Sequence, residues 1–117
     1  MSATPRALLQ MSRDLLARSS AETAGLWPRA AALLARQALE MAVRQYWGES
    51  RAAMSELPHR QQLICLVRLL KPREAAAEAG HAWAALSRAC HHHPYELAPG
   101  AGELAGLFEI VERFVDL

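Results

Sequence analysis

Apolar side chains return every three or four positions along most of this chain, the spacing of one face of an α-helix. Five stretches carry the pattern. In the first, Leu8, Leu9, Met11, Leu15 and Leu16 follow Thr4 and Pro5, an N-cap residue and a first-turn proline, and Ser19–Ser20 mark its stop. The second opens at Pro28, with Leu26 and Trp27 just ahead of it. Its stripe is Ala31, Leu34, Ala35, Ala38, Ala42 and Trp47, flanked by Leu39, Val43 and Tyr46, and Gly48 suits its C-terminal cap. Residues 49–57 read as a connection with room for one helical turn. Pro58 opens a third helix with Leu63, Ile64, Leu66, Val67 and Leu70, and Pro72 closes it, since the residue before a proline is pushed out of the α region. The fourth stripe is Ala75, Ala79, Ala82, Leu86 and Ala89, small enough for a neighbouring helix to come close, with Trp83 filling the gap beside it. Pro94 predicts the end of this helix at or near His93. Glu96–Gly102 (ELAPGAG) reads as a loop. A fifth helix from about Gly102 gathers Leu104, Leu107, Phe108, Val111, Phe114 and Val115, with Glu103, Glu109, Glu112 and Arg113 mostly opposite. The pattern predicts an all-α fold, an antiparallel bundle of four to five helices.

Composition agrees with that class. Alanine occurs 24 times and leucine 18, while valine, isoleucine and threonine together fill only 8 positions, too few for a sheet. A chain of 117 residues buries roughly two-thirds of its extended surface, enough for one core, so residues 1–117 are expected to form a single domain. The longest run without charge, Ala79 to Ser87, is too short to span a membrane. Arg6 and Arg13 interrupt the apolar start, which therefore does not read as a secretory signal. Cys65 and Cys90 form no disulfide framework, and the expected setting is a reducing cytoplasm.

The net charge of +1 conceals an asymmetry. Residues 1–73 hold 11 basic and 5 acidic side chains (+6), whereas residues 74–117 hold 2 and 7 (−5). Such a division marks an anion-facing surface, a self-complementary assembly face, or charges spread over solvated helix backs. The excess of arginine over lysine, 12 to 1, reads as the codon usage of a GC-rich genome.

Chemistry concentrates in Arg88-Ala89-Cys90-His91-His92-His93-Pro94-Tyr95, which allows four readings. As a metal site it is poor, because consecutive residues of a helix point about 100° apart and Cys65, His59 and His81 complete no zinc spacing. As a nucleophile, Cys90 would sit at the negative end of a helix, which raises a thiol's pKa. The histidines could instead bond the last free carbonyls of the helix, with Tyr95 packed nearby. Finally, Arg88 and His93 could act together, an imidazole moving a proton near neutral pH and a guanidinium gripping a phosphate. That pair suffices for metal-free RNA cleavage, with two copies across a two-fold axis supplying both base and acid.

The last arrangement resembles a known family. Arg88-x4-His93 is similar to the Arg-x4–6-His signature of HEPN domains, and Arg88-x4-His93-x-Tyr95 to the longer motif of HEPN toxins paired with a minimal nucleotidyltransferase antitoxin. Residues 32–47, ALLARQALEMAVRQYW, resemble the family's helix with an A-x-x-ALE core, which contains Glu40. Residues 61–70, QQLICLVRLL, resemble the helix that follows it. The resemblance spans about residues 26–115, and only the Arg–His–Tyr motif is position-specific. It implies an α-helical, cytoplasmic, homodimeric and metal-independent endoribonuclease with no cofactor. In it Arg88 and His93 would be catalytic, with Tyr95, His92 and Glu40 supporting or regulatory. RNA would be the substrate and a nucleotidyltransferase-type antitoxin a partner, blocking Tyr95 by adenylylation. Active members place a polar residue after the arginine, where this chain has Ala89. That departure keeps open a catalytically silent HEPN-like scaffold for dimerisation or nucleotide binding.

Overall fold

The computed structural model describes residues 4–17, 27–69, 73–91 and 100–117. Over these residues the protein is all-α, with helices α1 (Pro5–Ala17), α2 (Trp27–Ser50), α3 (His59–Leu69), α4 (Arg73–Cys90) and α5 (Ala101–Val115), and no strand among them. One 3-10 segment, Ala52–Glu56, joins α2 to α3. None of the described helices is long and apolar enough to cross a membrane.

Local chemistry sets the helix starts. Thr4 Oγ1 accepts the Ala7 amide at 3.1 Å, satisfying one of the free donors at the start of α1. The carbonyls of Pro58 and Gly100 accept the amides of Gln62 (3.1 Å) and Leu104 (3.0 Å), opening α3 and α5. Two ends differ from the sequence reading. Gly48 does not cap α2, whose helix continues to Ser50; Gly48 has no left-handed backbone, and Ser50 Oγ donates to the Tyr46 carbonyl at 2.8 Å. The α4 helix stops at Cys90, short of His93, with the His91 amide drawn onto the Arg88 carbonyl at 3.3 Å. That contact tightens the last turn and ends the regular ladder. The expected stop at Ser19–Ser20 and the positions of Leu26, Leu70, Pro72, His92, His93, Pro94 and Tyr95 lie outside the described residues, as does most of the expected loop.

The core forms around α2, which packs against all four other helices. Helix α2 packs on α4, and both are lined with small buried side chains: Ala31, Ala35, Ala38 and Ala42 on α2, Ala76, Ala79 and Ala82 on α4. Side chains without branches let the two backbones approach, and Leu39, Val43, Leu86, Leu104, Phe108 and Val111 fill the space around the seam. Ala76, not the expected Ala75, lies on the fully buried line of α4.

Two helices turn differently from their apolar pattern. In α1, Met11 is 51% exposed while Ser12 is fully buried. The Ser12 hydroxyl donates to the Leu8 carbonyl at 3.1 Å, so it enters the core with its hydrogen bond made. In α3, Gln62, Leu63 and Leu66 face inward, whereas Ile64 and Val67 face solvent.

Gln62 explains that rotation. Its amide Nε2 donates to the carbonyls of Ser55 (3.1 Å) and Leu57 (2.7 Å), fastening the 3-10 segment to α3. The backbone carbonyl of Gln62 accepts the indole N–H of buried Trp47 at 3.2 Å, while the side-chain Oε1 is buried without a partner. A fully buried polar side chain is tolerated because its donors are spent on the backbone groups that the connection leaves open.

The charge asymmetry is partly consumed within the chain. Arg6 pairs with Asp116, and Arg13 with Glu112 at 2.8 Å, both joining basic α1 to the acidic C-terminal segment. Arg113 pairs with Glu78 at 3.1 Å between α5 and α4. These pairs are largely exposed, so they orient the helices more than they stabilise them.

Candidate functional site

The residues singled out by their chemistry fall at the C-terminal end of α4 and on the neighbouring face of α2. Arg88 stands in the last turn of α4 with its side chain exposed. No ion pair engages it among the described residues. Ala89 is half-buried against the core and gives the arginine no polar support. Cys90, two residues on and therefore about 200° around the helix, points the opposite way. His91 is exposed just beyond the helix. His92, His93 and Tyr95 lie outside the described residues.

Where Cys90 points, α2 presents a charged cluster that the sequence reading did not assemble. Arg36, Glu40 and Arg44 recur at i, i+4 and i+8, on one face of α2. Glu40 Oε1 lies 3.0 Å from Arg36 Nε, and Oε2 lies 2.9 Å from His59 Nε2, the first residue of α3. The Glu40 side chain is only 16% exposed. A carboxylate so withdrawn from water requires these partners. Glu40 thus pairs with Arg36 and His59, not with Arg88.

The imidazole of His59 is held by competing demands. Arg44 Nη2 stands 3.2 Å from the same Nε2 that faces Glu40. With its proton on Nε2 the ring donates to Glu40 and leaves the exposed Arg44 guanidinium to water; with a bare Nε2 it accepts from Arg44 and turns a lone pair on the carboxylate. The shorter contact, made to a carboxylate, favours the first arrangement. Nδ1 is buried without a partner, so this histidine cannot present a second nitrogen to a substrate. It is a strut between α2 and α3.

Cys90 feels this cluster. Burial pushes its thiol above the ordinary value, Arg36 opposes that rise and Glu40 adds to it. The direction agrees with the sequence expectation, but desolvation, not the helix end, is the principal cause. A thiol held protonated is a poor nucleophile.

Neither of two surface grooves coincides with these residues. One of about 450 Å³ is lined by Pro5, Tyr46, Glu49, Phe114 and their neighbours. The other, about 400 Å³, lies over Arg6, Gln10, Arg13 and Glu112. Among the described residues no three His, Cys, Asp or Glu side chains gather into a metal-binding group.

Fold and site together define, over the described residues, a small all-α bundle in which α4 ends in an exposed arginine, while a largely withdrawn carboxylate clasped by arginine and histidine lies on the side of that helix to which Cys90 points. No family model, curated protein or solved structure matches the chain.

Proposed function

We propose that this chain is a HEPN-like, metal-independent endoribonuclease that works as a homodimer. The observation that carries the reading is Arg88, exposed in the final turn of α4 and engaged by no carboxylate among the described residues. A guanidinium in that state is available to a phosphodiester, which it grips through two parallel N–H donors. The Arg88-x4-His93-x-Tyr95 spacing then supplies the rest of the chemistry.

In the proposed reaction His93 takes the proton of a ribose 2′-hydroxyl. The 2′-oxygen forms a bond to the adjacent phosphorus, and Arg88 stabilises the added charge on the phosphoryl oxygens. The bond from phosphorus to the 5′-oxygen breaks, and that oxygen takes a proton from the imidazole of the second copy. The products are a 2′,3′-cyclic phosphate and a 5′-hydroxyl. Glu40 acts at a distance, fixing α2 and α3 around the end of α4, and Tyr95 positions the RNA or carries an inhibitory adenylyl group added by a nucleotidyltransferase-type antitoxin. The setting proposed is cytoplasmic.

The test is His93→Ala. Cleavage should vanish while the melting temperature stays within a few degrees of the wild type, and wild-type fragments should end in cyclic phosphate. Cleavage surviving in the variant would remove His93 from the mechanism.

A second reading is a catalytically silent HEPN-like scaffold, favoured by the apolar, half-buried Ala89 that follows Arg88. It expects a stable dimer in sedimentation and intact RNA in the same buffer.

A further inference from the structure

The outward side of α3 is unusual for this molecule. Of the seven large apolar side chains exposed among the described residues, four lie on or beside this one helix. They are Leu57 (36%), Ile64 (55%), Val67 (43%) and Leu69 (46%). Ile64 and Val67 stand one turn apart on the same face, and exposed Arg60 and Arg68 flank them. No Asp or Glu occurs in His59–Leu69; the nearest along the sequence, Glu56, ends the preceding segment, and Glu40 of α2 meets the helix at His59. On one face, then, Ile64 and Val67 form a short apolar ridge with Arg60 and Arg68 one turn to either side of Ile64, while Leu57 lies just ahead of the helix and Leu69 on another side of it.

Large apolar side chains left exposed next to each other and flanked by charge mark an interaction site more often than a solvated helix back. We propose that this face of α3 docks an acidic amphipathic helix of a partner protein, the apolar stripe meeting Ile64 and Val67 and the carboxylates meeting Arg60 and Arg68. The eleven residues of α3 extend about 16 Å, enough to engage about three turns of such a helix. Charge complementarity selects the sign of the partner.

Two other occupants fit less well. RNA would use Arg60 and Arg68 but would leave Ile64 and Val67 against phosphates and sugars. A second copy would bring the carboxylates of α4 and α5, yet neither of those helices exposes a large apolar side chain to meet the ridge. The inference is independent of ribonuclease activity, since it uses no residue of the Arg–His–Tyr motif.

The experiment uses the full chain and a fluorescent synthetic helix of about 18 residues, with a leucine stripe at i, i+3, i+4 and i+7 and glutamates beside it. A twin peptide carries lysines in place of the glutamates. The acidic peptide should bind at least about tenfold more tightly than its twin, with an advantage that shrinks as salt rises. Ile64→Gln/Val67→Gln and Arg60→Gln/Arg68→Gln should each weaken it by about tenfold, with helical content unchanged by circular dichroism. Equal binding of the two peptides, or none, overturns the proposal. An RNA oligonucleotide that depends on Arg60 and Arg68 but not on Ile64 and Val67 reassigns the face to nucleic acid. A dimer that Ile64→Gln/Val67→Gln splits reassigns it to a second copy.

Discussion

The seam between α2 and α4 and the corner between α2 and α3 are built on opposite principles. The two helices of the seam are lined with buried alanines, Ala31, Ala35, Ala38 and Ala42 on α2 and Ala76, Ala79 and Ala82 on α4. At the corner, Trp47, Gln62, Glu40, Arg36 and His59 meet through directed hydrogen bonds and ion pairs. Close packing stabilises through many weak contacts that tolerate no change of volume. The polar corner stabilises less per group, but the loss of one partner strands the others away from water. The first region holds the fold together. The second fastens α3 and the 3-10 segment to α2.

Mutations sharpen that contrast, beginning with the largest effect. Leu86→Ala, fully buried beside the seam, should cost about 2–5 kcal/mol in denaturant unfolding. Ala79→Leu should cost about 1–3 kcal/mol by overpacking the same interface. A loss below about 0.5 kcal/mol would mean that the seam is looser than its buried alanines indicate.

At the corner, Gln62→Ala removes the donors to the Ser55 and Leu57 carbonyls and should cost about 1–3 kcal/mol. The damage should concentrate locally, with faster amide exchange in the 3-10 segment than at the seam. Uniform loosening of all five helices would contradict a separate corner. Glu40→Ala leaves Arg36 and His59 without their carboxylate and should cost about 1–2 kcal/mol.

That variant has a second readout at Cys90. Glu40 raises and Arg36 lowers the thiol's pKa, so removing Glu40 should speed alkylation of Cys90 at a fixed pH near 8. In the intact protein alkylation should be slower than in the unfolded chain. Because the folded-state value is raised, Cys90's contribution to stability is complete below the ordinary value of 9.0 and disappears as pH climbs through the raised one.

The smallest effect is expected at the exposed α1–α5 pairs. Arg13's hydrogen bond holds the Glu112 carboxyl below its ordinary value of 4.5, so its contribution is present above that value and is lost as pH falls through the lowered one. Glu112→Gln should flatten stability only in that acid range and should do nothing measurable at neutral pH in high salt.

Much of the fold was legible because apolar positions recur at helical spacing in all five stretches. The third is the least one-sided of them: LICLVRLL is apolar nearly all round, so periodicity alone could not choose which side turns inward. Gln62, a polar residue, decided it through the carbonyls it satisfies. Ser12 was hidden for a related reason, since a serine bonded to its own helix behaves as a small core residue. Of the candidate site, the Arg36-x3-Glu40-x3-Arg44 spacing was open to view in the sequence. Its completion by His59 was not, because only the turn through Ala52–Glu56 brings that ring back onto α2.

The central claim concerns the end of α4 and is tested most directly by incubating total RNA, in EDTA, with the wild type and with Arg88→Ala/His93→Ala. An intact-mass measurement on the same wild-type sample would confirm that Tyr95 carries no adenylyl group. Cleavage by the unmodified wild type alone, persisting in chelator, is the predicted result. Intact RNA with the unmodified wild type, or equal cleavage by both proteins, would contradict it.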